Sequence, residues 1–506
     1  MSVYFTQLLT QSATYKMARK DLLNVIFSHM NGIVLSSIVG ILENHGHLDA
    51  LVKKSQITAK DLQNIPEGYR HLILRLFARE KWLYPQDAYL DADRPFSLAE
   101  EGREHLKHAM DYKTAKDLLF HFRGREFLDK ALAFFVKTEN LPQNIARHLQ
   151  GHLIAPVMSS LTALGITKKI TFHNYRLQDC HLPLLKILER AGWVFLDEDA
   201  TEFSIDGILA CEMAYFYEYP IAYLPLLKNL PAICSNTPVS PSIDRKKDIT
   251  FSSMVFANPL KSTFMECILP IFDLPLEKQP KALVDIGCGD GKMLAACYRE
   301  ILKNTLRGRH IKDFPLILIG ADISQEARAC AADTLQEMQS LFHVLDGDIN
   351  DPDSLSRTIQ EKCGFPLHDC LIINKSVIHD RSFIPPKKAL DSATSAVFVH
   401  PSGEKIQAAE IFGSLVECLK KWRPHTKKHG WAIIEPHTMH LDAASPQELC
   451  SPITALEALH GFSHQYLIES SVFSQALELS GFTIQKQKEF GEKIFGAPQL
   501  TVSYCR

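Results

Sequence analysis

The sequence lacks the features that mark several classes of protein. Its twelve cysteines are scattered without a CxxC pair, which argues against a disulfide framework or a structural zinc site and for a reducing compartment. A formal net charge of −3 predicts no strong attraction to nucleic acid or to an anionic membrane. No apolar signal segment opens the chain, and the apolar run 33–42 is about half the length that spans a bilayer. We therefore expect a cytoplasmic protein without nucleic-acid or membrane partners.

The length and composition indicate a soluble globular protein of more than one domain. The chain has 506 residues, of which 46% are hydrophobic and 22% are charged. The segment 235–242 sets two prolines among small polar residues, which predicts a linker. The sequence before it reads as mostly helical, whereas after it short apolar strands alternate with amphipathic helices. We predict two N-terminal units, 1–115 and 116–235, and a third domain at 236–506.

The N-terminal half contains a weak internal repeat. Residues 73–84 resemble residues 184–195, and each copy leads into an aromatic strand-like segment, an acidic turn and a Phe-Ser pair. Helices followed by a short β-ribbon describe a winged-helix unit, so we predict two in tandem. The helix before each predicted wing carries leucines and acids and lacks a basic face for reading DNA. The charge pattern favours a packing or lid role over DNA binding.

A glycine-rich turn opens the C-terminal half. The apolar strand 282–286 runs into Gly287, Gly289 and Gly291. Glycine lets the backbone turn sharply and lets a ligand approach closely, and the next helix offers free N–H groups. This pattern alone is also compatible with a dinucleotide. Asp285 argues against a dinucleotide because its carboxylate would repel a pyrophosphate, whereas it can receive the ammonium group of a bound amino acid.

The next two strand-like stretches also end in carboxylates, Asp322 after 315–321 and Asp348 after 343–345. A carboxylate at a strand tip can accept hydrogen bonds from both ribose hydroxyls of an adenosine, which is the role predicted for Asp322. Asp348 is predicted to reach the adenine amino group, with Ile349 packing on the ring. A single carboxylate can equally be a turn or capping residue, but three at successive strand ends are hard to explain in that way.

The segment from Asp285 to Gly291, together with Asp322 and Asp348, resembles the class I S-adenosylmethionine-dependent methyltransferases. The resemblance covers the last half of the chain. It implies S-adenosyl-L-methionine as the cofactor and a Rossmann-like, doubly wound α/β domain with a seven-stranded mixed sheet. Asn374, after the predicted fourth strand, is added to the cofactor-binding set. The stretches 483–490 and 499–504 predict an antiparallel C-terminal hairpin.

Two further strands deliver candidate catalytic residues to the same edge of the sheet. The strand 370–373 leads to His379, and the strand 431–434 leads to Glu435 and His437. Methyl transfer to an acidic group usually needs a base, and imidazole titrates near neutral pH. His379 is the first candidate for the base and His437 is the second. For any one of the 22 histidines, a structural or surface role is the alternative.

The histidines and nearby oxygen ligands also allow a metal site. Nitrogen and oxygen donors without thiolate suit iron or manganese, and such a metal could stabilise an enolate and favour C-methylation. The segments 460–466, 378–381 and 435–437 resemble the methyltransferase domains of apratoxin-type polyketide assembly lines. Some members of that group use iron or manganese and methylate an acyl group on a carrier protein. On that resemblance, His464 and Gln465 are the leading candidate metal ligands.

Three hypotheses about function follow. The first is C-methylation of a small-molecule or acyl-carrier-bound polyketide-type substrate, through a histidine-assisted or metal-assisted enolate. The second is O-methylation of a small hydroxylated metabolite by a histidine base. The third, less favoured, is a winged-helix regulator that keeps the cofactor domain as a sensor. The sequence leaves the methyl acceptor open, and apolar helices such as 33–42 are compatible with a homodimer.

Overall fold

The structure, a computed structural model, describes residues 13–54, 56–122, 124–170, 182–196, 201–235, 239–257, 259–441, 451–492 and 497–506. The chain divides into an N-terminal unit, Met1–Lys247 with Glu448–Phe462, and a C-terminal unit, Asp248–Gln447 with Ser463–Arg506. The predicted third domain began at residue 236 and ran without interruption. The boundary between the two compact units lies at Lys247, and Glu448–Phe462 belongs to the N-terminal unit, whereas the division into the domains 1–115, 116–235 and 236–506 stays a prediction.

The N-terminal unit is mostly helical. Its helices are α1 (Ala13–Asn44), α2 (Leu48–Lys53), α3 (Glu67–Arg79), α4 (Glu100–Lys107), α5 (Ala109–Phe120), α6 (Gly124–Thr138), α7 (Gln143–Ala163), α8 (Ile166–Ile170), α9 (Leu182–Arg190), α10 (Ile205–Glu212), α11 (Tyr215–Ala222), α12 (Leu224–Ile233) and α20 (Ile453–Phe462). Helix α13 (Arg245–Val255) begins in this unit and ends in the C-terminal unit.

Helix α1 is the central element of the N-terminal unit. Its stretch Lys16–Asn44 is long and apolar enough to cross a membrane, but almost all of the apolar window is buried inside the protein. Helix α7 packs closely against it, because a Cβ at Gly32 would lie 2.3 Å from the carbonyl oxygen of His148, and one at Gly151 would lie 2.6 Å from the Cα of His29. Packing against neighbouring helices therefore accounts for the apolar surface of α1.

Two short antiparallel ribbons follow helices, as the sequence repeat predicted. The first joins β1 (Leu83–Tyr84) to β2 (Ser97–Leu98), and the second joins β3 (Val194–Leu196) to β4 (Thr201–Phe203). Helix α3 precedes the first ribbon and α9 precedes the second. The assignment of these segments to winged-helix modules stays a prediction.

Helix α20 belongs to the N-terminal unit because its polar side chains are satisfied there. Both oxygens of the buried Glu457 accept hydrogen bonds from Arg75, at 2.8 and 2.9 Å. Arg79 donates to Oε1 of the same carboxylate at 2.9 Å, and the hydroxyl of Tyr219 lies 2.8 Å from Nδ1 of His460. Pairing buried charges in this way avoids the large cost of leaving one unpaired. None of these partners is close to residues 448–462 in sequence.

The C-terminal unit is built on a seven-stranded mixed sheet with the order β12-β13-β11-β8-β5-β6-β7. Its strands are β5 (Ala282–Ile286), β6 (Ile317–Asp322), β7 (Phe342–Asp346), β8 (Cys370–Lys375), β11 (Trp431–Pro436), β12 (Ile484–Phe490) and β13 (Leu500–Cys505), and β9 (Phe398–Val399) pairs with β10 (Lys405–Ile406) in a separate ribbon. Its helices are α14 (Leu260–Ile268), α15 (Lys292–Asn304), α16 (Leu306–Arg309), α17 (Gln325–Gln336), α18 (Pro352–Cys363), α19 (Ala408–Thr426) and α21 (Ser470–Leu479). The mixed α/β sheet is confirmed, and β12 and β13 form the predicted antiparallel hairpin.

The strand order places the functional edge of this sheet. Strands β6 and β7 lie on one side of β5, whereas β8 and β11 lie on the other, and all five are parallel. The order therefore reverses between β5 and β8. In open α/β sheets, ligands bind at the carboxyl ends of the strands near such a reversal.

Alternating side chains cover both faces of the sheet. Val284 and Ile286 of β5 pack on one face in a cluster with Ile372 of β8. Leu283 packs on the opposite face with Ile373 of β8. This alternation is the period of a strand, and it assigns each polar residue at the strand ends to one face.

Candidate active site

The predicted glycines form a tight left-handed turn directly after β5. The φ angles of Gly287, Gly289 and Gly291 are +69°, +54° and +73°, values that glycine adopts without the penalty of a Cβ. A Cβ at Gly287 would also lie 2.1 Å from the side chain of Val377. Gly291 directly precedes helix α15, whose first N–H groups therefore face the turn.

Asp285 lies in β5, at the base of this turn. Its side chain is buried, and its Oδ1 has no hydrogen-bond partner within the ranges that the structure describes. Burial raises the pKa of Asp285 well above its ordinary value, whereas the charge of Lys375 acts in the opposite direction. A buried carboxylate oxygen without a partner is costly, so this position favours a cationic ligand group.

Asp322 closes β6 beside the turn. Its Oδ2 accepts a hydrogen bond from the N–H of Gly289 at 3.1 Å, and its Oδ1 accepts one from the N–H of Ser324 at 2.9 Å. These two bonds fix the carboxylate at the strand tip. Each oxygen has a further lone pair, so the predicted bond to ribose hydroxyls is compatible with this geometry.

The third predicted carboxylate, Asp348, follows β7 and is exposed. Its Oδ1 accepts the N–H of Asn350 at 2.8 Å, which makes a turn of its own. Ile349 is buried in the core, and its carbonyl accepts the indole N–H of Trp422 at 2.7 Å. The structure thus brings Asp348 to the correct edge of the sheet, whereas Ile349 already packs on protein. Packing of Ile349 on an adenine ring stays a prediction.

Asn374 lies in β8, beside Ile286 of β5. Its side chain is fully buried, and neither Oδ1 nor Nδ2 has a partner among the residues described. A buried amide with two unsatisfied atoms is rare in a folded protein. Like the unpartnered oxygen of Asp285, it indicates a polar group at this edge that the protein chain does not supply.

His379 and Glu435 form a buried pair at the ends of β8 and β11. Nδ1 of His379 lies 2.7 Å from Oε1 of Glu435. The same oxygen accepts the backbone N–H of His379 at 2.7 Å, and Oε2 accepts the N–H of Ile378 at 3.4 Å. Because an ionised carboxylate only accepts hydrogen bonds, we assign the proton to Nδ1 and the basic lone pair to Nε2. This tautomer is the one that a general base requires.

Arg381 supports the segment that carries His379. It is buried, its Nη1 donates to the carbonyl of Ile378 at 3.1 Å and its Nη2 donates to that of Ile411 in α19 at 3.3 Å. Its guanidinium lies 5.8 Å from the ring centroid of Tyr466. The N–H of Tyr466 in turn donates to the carbonyl of His379 at 2.7 Å. Arg381 and Tyr466 therefore hold the backbone around the pair.

His437, the second predicted base, is engaged by structural partners. It is fully buried, its Nε2 lies 2.8 Å from Oγ1 of Thr501, and its Nδ1 lies 3.3 Å from the carbonyl of Ile468. Burial lowers the pKa of His437 to about 4, although Glu435 acts in the opposite direction. Both ring nitrogens of His437 thus already face protein groups, and its role as a base stays a prediction.

Comparison with known families decides the class of this protein. Residues 241–497, slightly more than half of the chain, match the family described as the AprA MT2-like domain, a methyltransferase family. The chain belongs to this family. It is an S-adenosylmethionine-dependent methyltransferase. No curated protein matches the chain in sequence.

The methyltransferase also has similarities among solved structures. The DszA carbon methyltransferase has 13% identity and a TM-score of 0.36, over 78% of this chain and 93% of that one. An O-methyltransferase family protein from Burkholderia thailandensis has 11% identity and a TM-score of 0.39, over 70% and 93%. OxaC in complex with SAH and oxaline has 11% identity and a TM-score of 0.42, over 80% and 99%. At these values the similarities carry no conclusion about function.

The residues of the methyltransferase fit its cofactor. A zwitterionic, adenosine-bearing molecule needs a turn that a backbone can approach and polar groups of matching charge. Gly287 to Gly291 supply the turn, and Asp285 and Asn374 supply buried polar atoms that lack protein partners among the described residues. Asp322 supplies a fixed carboxylate at the neighbouring strand tip.

The predicted metal ligands, His464 and Gln465, are neighbours in the chain. His464 has a left-handed backbone, with φ of +62°, and burial, aided by His400, lowers its pKa to about 4. Gln465 is buried beside it in sequence. Over the part of the chain that the structure describes, no group of three or more His, Cys, Asp or Glu residues is arranged to hold a metal ion. The amide of Gln465 is outside that set, so His464 and Gln465 as metal ligands stay a prediction.

Sequence reasoning assigned no role to two residues that the structure brings to the site. Lys375 is held by Ser252, and Arg381 supports the His379 segment. Both lie close in sequence to predicted site residues, so their position after a strand end was visible. Their burial was not, because it depends on α13 and α19, which come from distant parts of the chain.

Proposed function

We propose that the methyltransferase C-methylates a polyketide-type acyl substrate, free or attached to an acyl carrier protein, with His379 as the general base. The observation that supports this most is the 2.7 Å contact between His379 and Glu435 at the carboxyl edge of the sheet. The same edge carries the glycine turn and the unpartnered polar atoms of Asp285 and Asn374. A base and a donor site at one edge are the two parts that methyl transfer to an acidic carbon requires.

When bound, S-adenosylmethionine supplies an electrophilic methyl group on a sulfonium. The residues proposed to hold it are Asp285 for the ammonium, Gly287 to Gly291 for the backbone approach, Asp322 for the ribose, Asp348 for the adenine and Asn374 for a polar contact. Each is at or directly after the carboxyl end of β5, β6, β7 or β8. A carboxylate in low-dielectric surroundings attracts a cation more strongly than it would in water.

His379 is proposed to remove the proton of the acceptor through Nε2. Glu435 orients the ring, because it accepts both the N–H of Nδ1 and the backbone N–H of His379. As the imidazole gains a proton, the charge that develops on it is stabilised by the adjacent carboxylate. The proton leaves the acceptor carbon, and the resulting carbanion or enolate has an electron pair available for the methyl group.

The main test separates carbon from oxygen as the acceptor. Malonyl-loaded carrier protein and small hydroxylated compounds are each incubated with S-adenosylmethionine, and the gain of one methyl group is followed by intact-mass analysis. The carrier-bound acyl group is also incubated in heavy water without the methyl donor. We expect enzyme-dependent exchange of the hydrogen on the acidic carbon, because deprotonation precedes methyl transfer.

Matched variants make this test specific. His379→Ala is expected to abolish both exchange and methyl transfer, whereas His310→Ala, at an exposed histidine, is expected to leave both unchanged. If a hydroxyl compound were methylated and the hydrogen on the acidic carbon did not exchange, the proposed reaction would be O-methylation with the same base and not C-methylation. Carbon methylation that survives His379→Ala would overturn the assignment of the base.

A metal-assisted version of the same reaction keeps His464 and Gln465 as its proposed ligands. Among the described residues no group of three or more His, Cys, Asp or Glu side chains is arranged to hold a metal ion, so the histidine-assisted version is preferred. We expect chelator-treated enzyme to retain its activity and purified enzyme to contain less than one iron or manganese per chain. Loss of activity on chelation, restored by one of these metals and absent from His464→Ala, would favour the metal-assisted version.

A further inference from the structure

The geometry points to Lys375 as the residue that binds the carboxylate of the donor's amino-acid portion, opposite Asp285, which takes its ammonium group. This inference rests on the proposed donor site and adds a residue to it. Both the amino group and the carboxyl group of an α-amino acid are charged and are attached to one carbon. A site with Asp285 alone would attract the ammonium and repel the carboxylate. A cation a few ångströms from Asp285 would instead attract the carboxylate and strengthen recognition of the whole zwitterion.

The register of the sheet puts Lys375 at the required place. Asp285 of β5 is opposite Ile373 of β8. Lys375 lies two residues beyond Ile373, so its side chain leaves the same face of the sheet, nearer the carboxyl edge. Asn374, between them, leaves the opposite face. Asp285 and Lys375 are thus diagonal neighbours on the face that carries Leu283 and Ile373.

The contacts of Lys375 show where its ammonium group is held. Its Nζ donates to the carbonyl oxygen of Ser252 at 2.8 Å and also contacts the hydroxyl of the same residue. Ser252 lies in α13, the helix that also places Ile249 3.5 Å from the position of a Cβ on Gly289. Helix α13 therefore holds the lysine beside the glycine turn. An ammonium group has three donors, so these bonds allow a further partner.

The neighbouring carboxylates differ in how they are satisfied. Asp290, in the glycine turn, accepts the hydroxyl of Ser253 at 2.8 Å and contacts Lys292 through an ion pair of 2.6 Å. Asp322 accepts two backbone N–H groups. Asp285 is the carboxylate whose Oδ1 lacks a partner within the described ranges, and none of the ion pairs found there joins it to Lys375. Asp285 and Lys375 are therefore neighbours on one face of the sheet without a direct ion pair between them.

The lysine is also in a suitable charge state. Burial lowers the pKa of Lys375 to about 8, while Asp285, Asp248, Asp290 and Glu435 act in the opposite direction. The ammonium form therefore dominates at neutral pH. The competing explanation is that Lys375 only offsets the buried acidic charge around Asp285, and the experiment must separate this structural role from ligand binding.

The test compares two ligands that differ only in the carboxylate. Calorimetry measures the affinities of S-adenosylmethionine and of decarboxylated S-adenosylmethionine, which keeps the sulfonium and the ammonium. Charged hydrogen bonds are worth about 1.5–3 kcal/mol, which corresponds to a factor of about 10 to 150 in affinity. We expect Lys375→Met to lower the affinity for S-adenosylmethionine by that factor. The affinity for the decarboxylated ligand should change by no more than about twofold.

Three controls complete the design. Asp285→Asn should lower the affinity for both ligands, because both carry the ammonium group. Lys420→Met, at an exposed lysine of α19, removes the same net charge and should change neither affinity. Lys375→Gln keeps a polar side chain in case the methionine variant does not fold. The wild-type protein alone is also informative, since it should bind the intact donor at least about tenfold more tightly than the decarboxylated one.

Each remaining outcome contradicts the inference in a distinct way. If Lys375→Met and Lys375→Gln lowered the affinity for both ligands equally, the lysine would have a structural role only. Equal affinities of the two ligands for the wild-type protein would show that nothing recognises the carboxylate. If the folded wild-type protein bound neither ligand, the donor site itself would be wrong, and the proposed function would fail with it.

Discussion

Nδ1 of His379 lies 2.7 Å from Oε1 of Glu435, although the two residues are 56 positions apart in the chain. Parallel pairing of β8 with β11 brings them together, because it places Lys375 beside Ile434, the residue before Glu435. The backbone N–H of His379 then donates to the same carboxylate. One glutamate thus fixes both the main chain and the ring of the proposed base.

Glu435→Gln should reduce methyl transfer by about a thousandfold, because an amide cannot stabilise a protonated imidazole as a carboxylate does. The affinity for S-adenosylhomocysteine should stay within about twofold of wild type, since Glu435 is not proposed to bind the donor. Single-turnover rates and calorimetry measure the two effects. Glu361→Gln, at an exposed position in α18, is the control. A rate within tenfold of wild type would remove Glu435 from the mechanism.

Arg381→Met should move the acidic limb of the pH–rate profile to higher pH by about one unit. Arg381 is a buried positive charge that contacts the segment carrying the proposed base, and loss of such a charge makes it easier to add a proton nearby. Arg381→Lys should restore part of the shift, because it keeps the charge but not both hydrogen bonds. A variant that lost activity equally at every pH would show that Arg381 contributes only packing.

Glu457→Gln should destabilise the N-terminal unit by about 3–5 kcal/mol, because it leaves Arg75 and Arg79 buried without a compensating charge. Burial acts to raise the pKa of Glu457, but these two arginines hold it at about 2. The free energy of unfolding is measured by denaturant titration. Glu478→Gln, exposed in α21, should change it by less than about 0.5 kcal/mol. An unchanged midpoint for Glu457→Gln would contradict the buried ion pair.

Glu80→Gln should stabilise the protein more at high pH than at low pH. Burial raises the pKa of Glu80 to about 7, against hydrogen bonds from Thr454 and Asn31 that act in the opposite direction. The folded state therefore keeps a proton that the unfolded state releases near pH 4.3. As a result, the stability that Glu80 contributes to the wild-type protein falls as the pH rises from the unfolded-state pKa to the folded-state pKa. The advantage of the variant should grow by roughly 3 kcal/mol between about pH 4.5 and about pH 7.

Comparison of the two proteins at each pH cancels the contribution of the buried histidines. His29 and His152 have pKa values lowered by burial to about 3 and about 4, so their effect on stability has the opposite sign and is shared by both proteins. The measurement is the difference between the two unfolding free energies. A difference that stayed constant with pH would show that Glu80 does not titrate in this window.

The local part of the fold, including the turn and strand ends that are proposed to hold the donor, was readable from the sequence. Gly287, Gly289 and Gly291 followed an apolar strand, and Asp322 ended the next one. These features depend on neighbouring residues, whose strand period and turn preferences act over a few positions. The mixed sheet and its C-terminal hairpin followed from the same kind of pattern and are confirmed.

Other assignments needed contacts between distant segments. The sequence made His379 the first candidate for the base and His437 the second, although both follow strands that end at the same edge. Only the structure shows that both ring nitrogens of His437 face protein groups, Oγ1 of Thr501 and the carbonyl of Ile468. Likewise, the local pattern did not reveal that Glu448–Phe462 belongs to the N-terminal unit, because its partners there, such as Arg75, are hundreds of residues away.

The sequence by itself determined the glycine turn, the carboxylates at the strand ends and the alternation of strands and helices, because short-range geometry and side-chain polarity specify them. Only the tertiary structure decided which histidine meets Glu435 and that Lys375 shares a buried face with Asp285. Those relationships depend on strand register and burial, which are set by contacts across the whole domain.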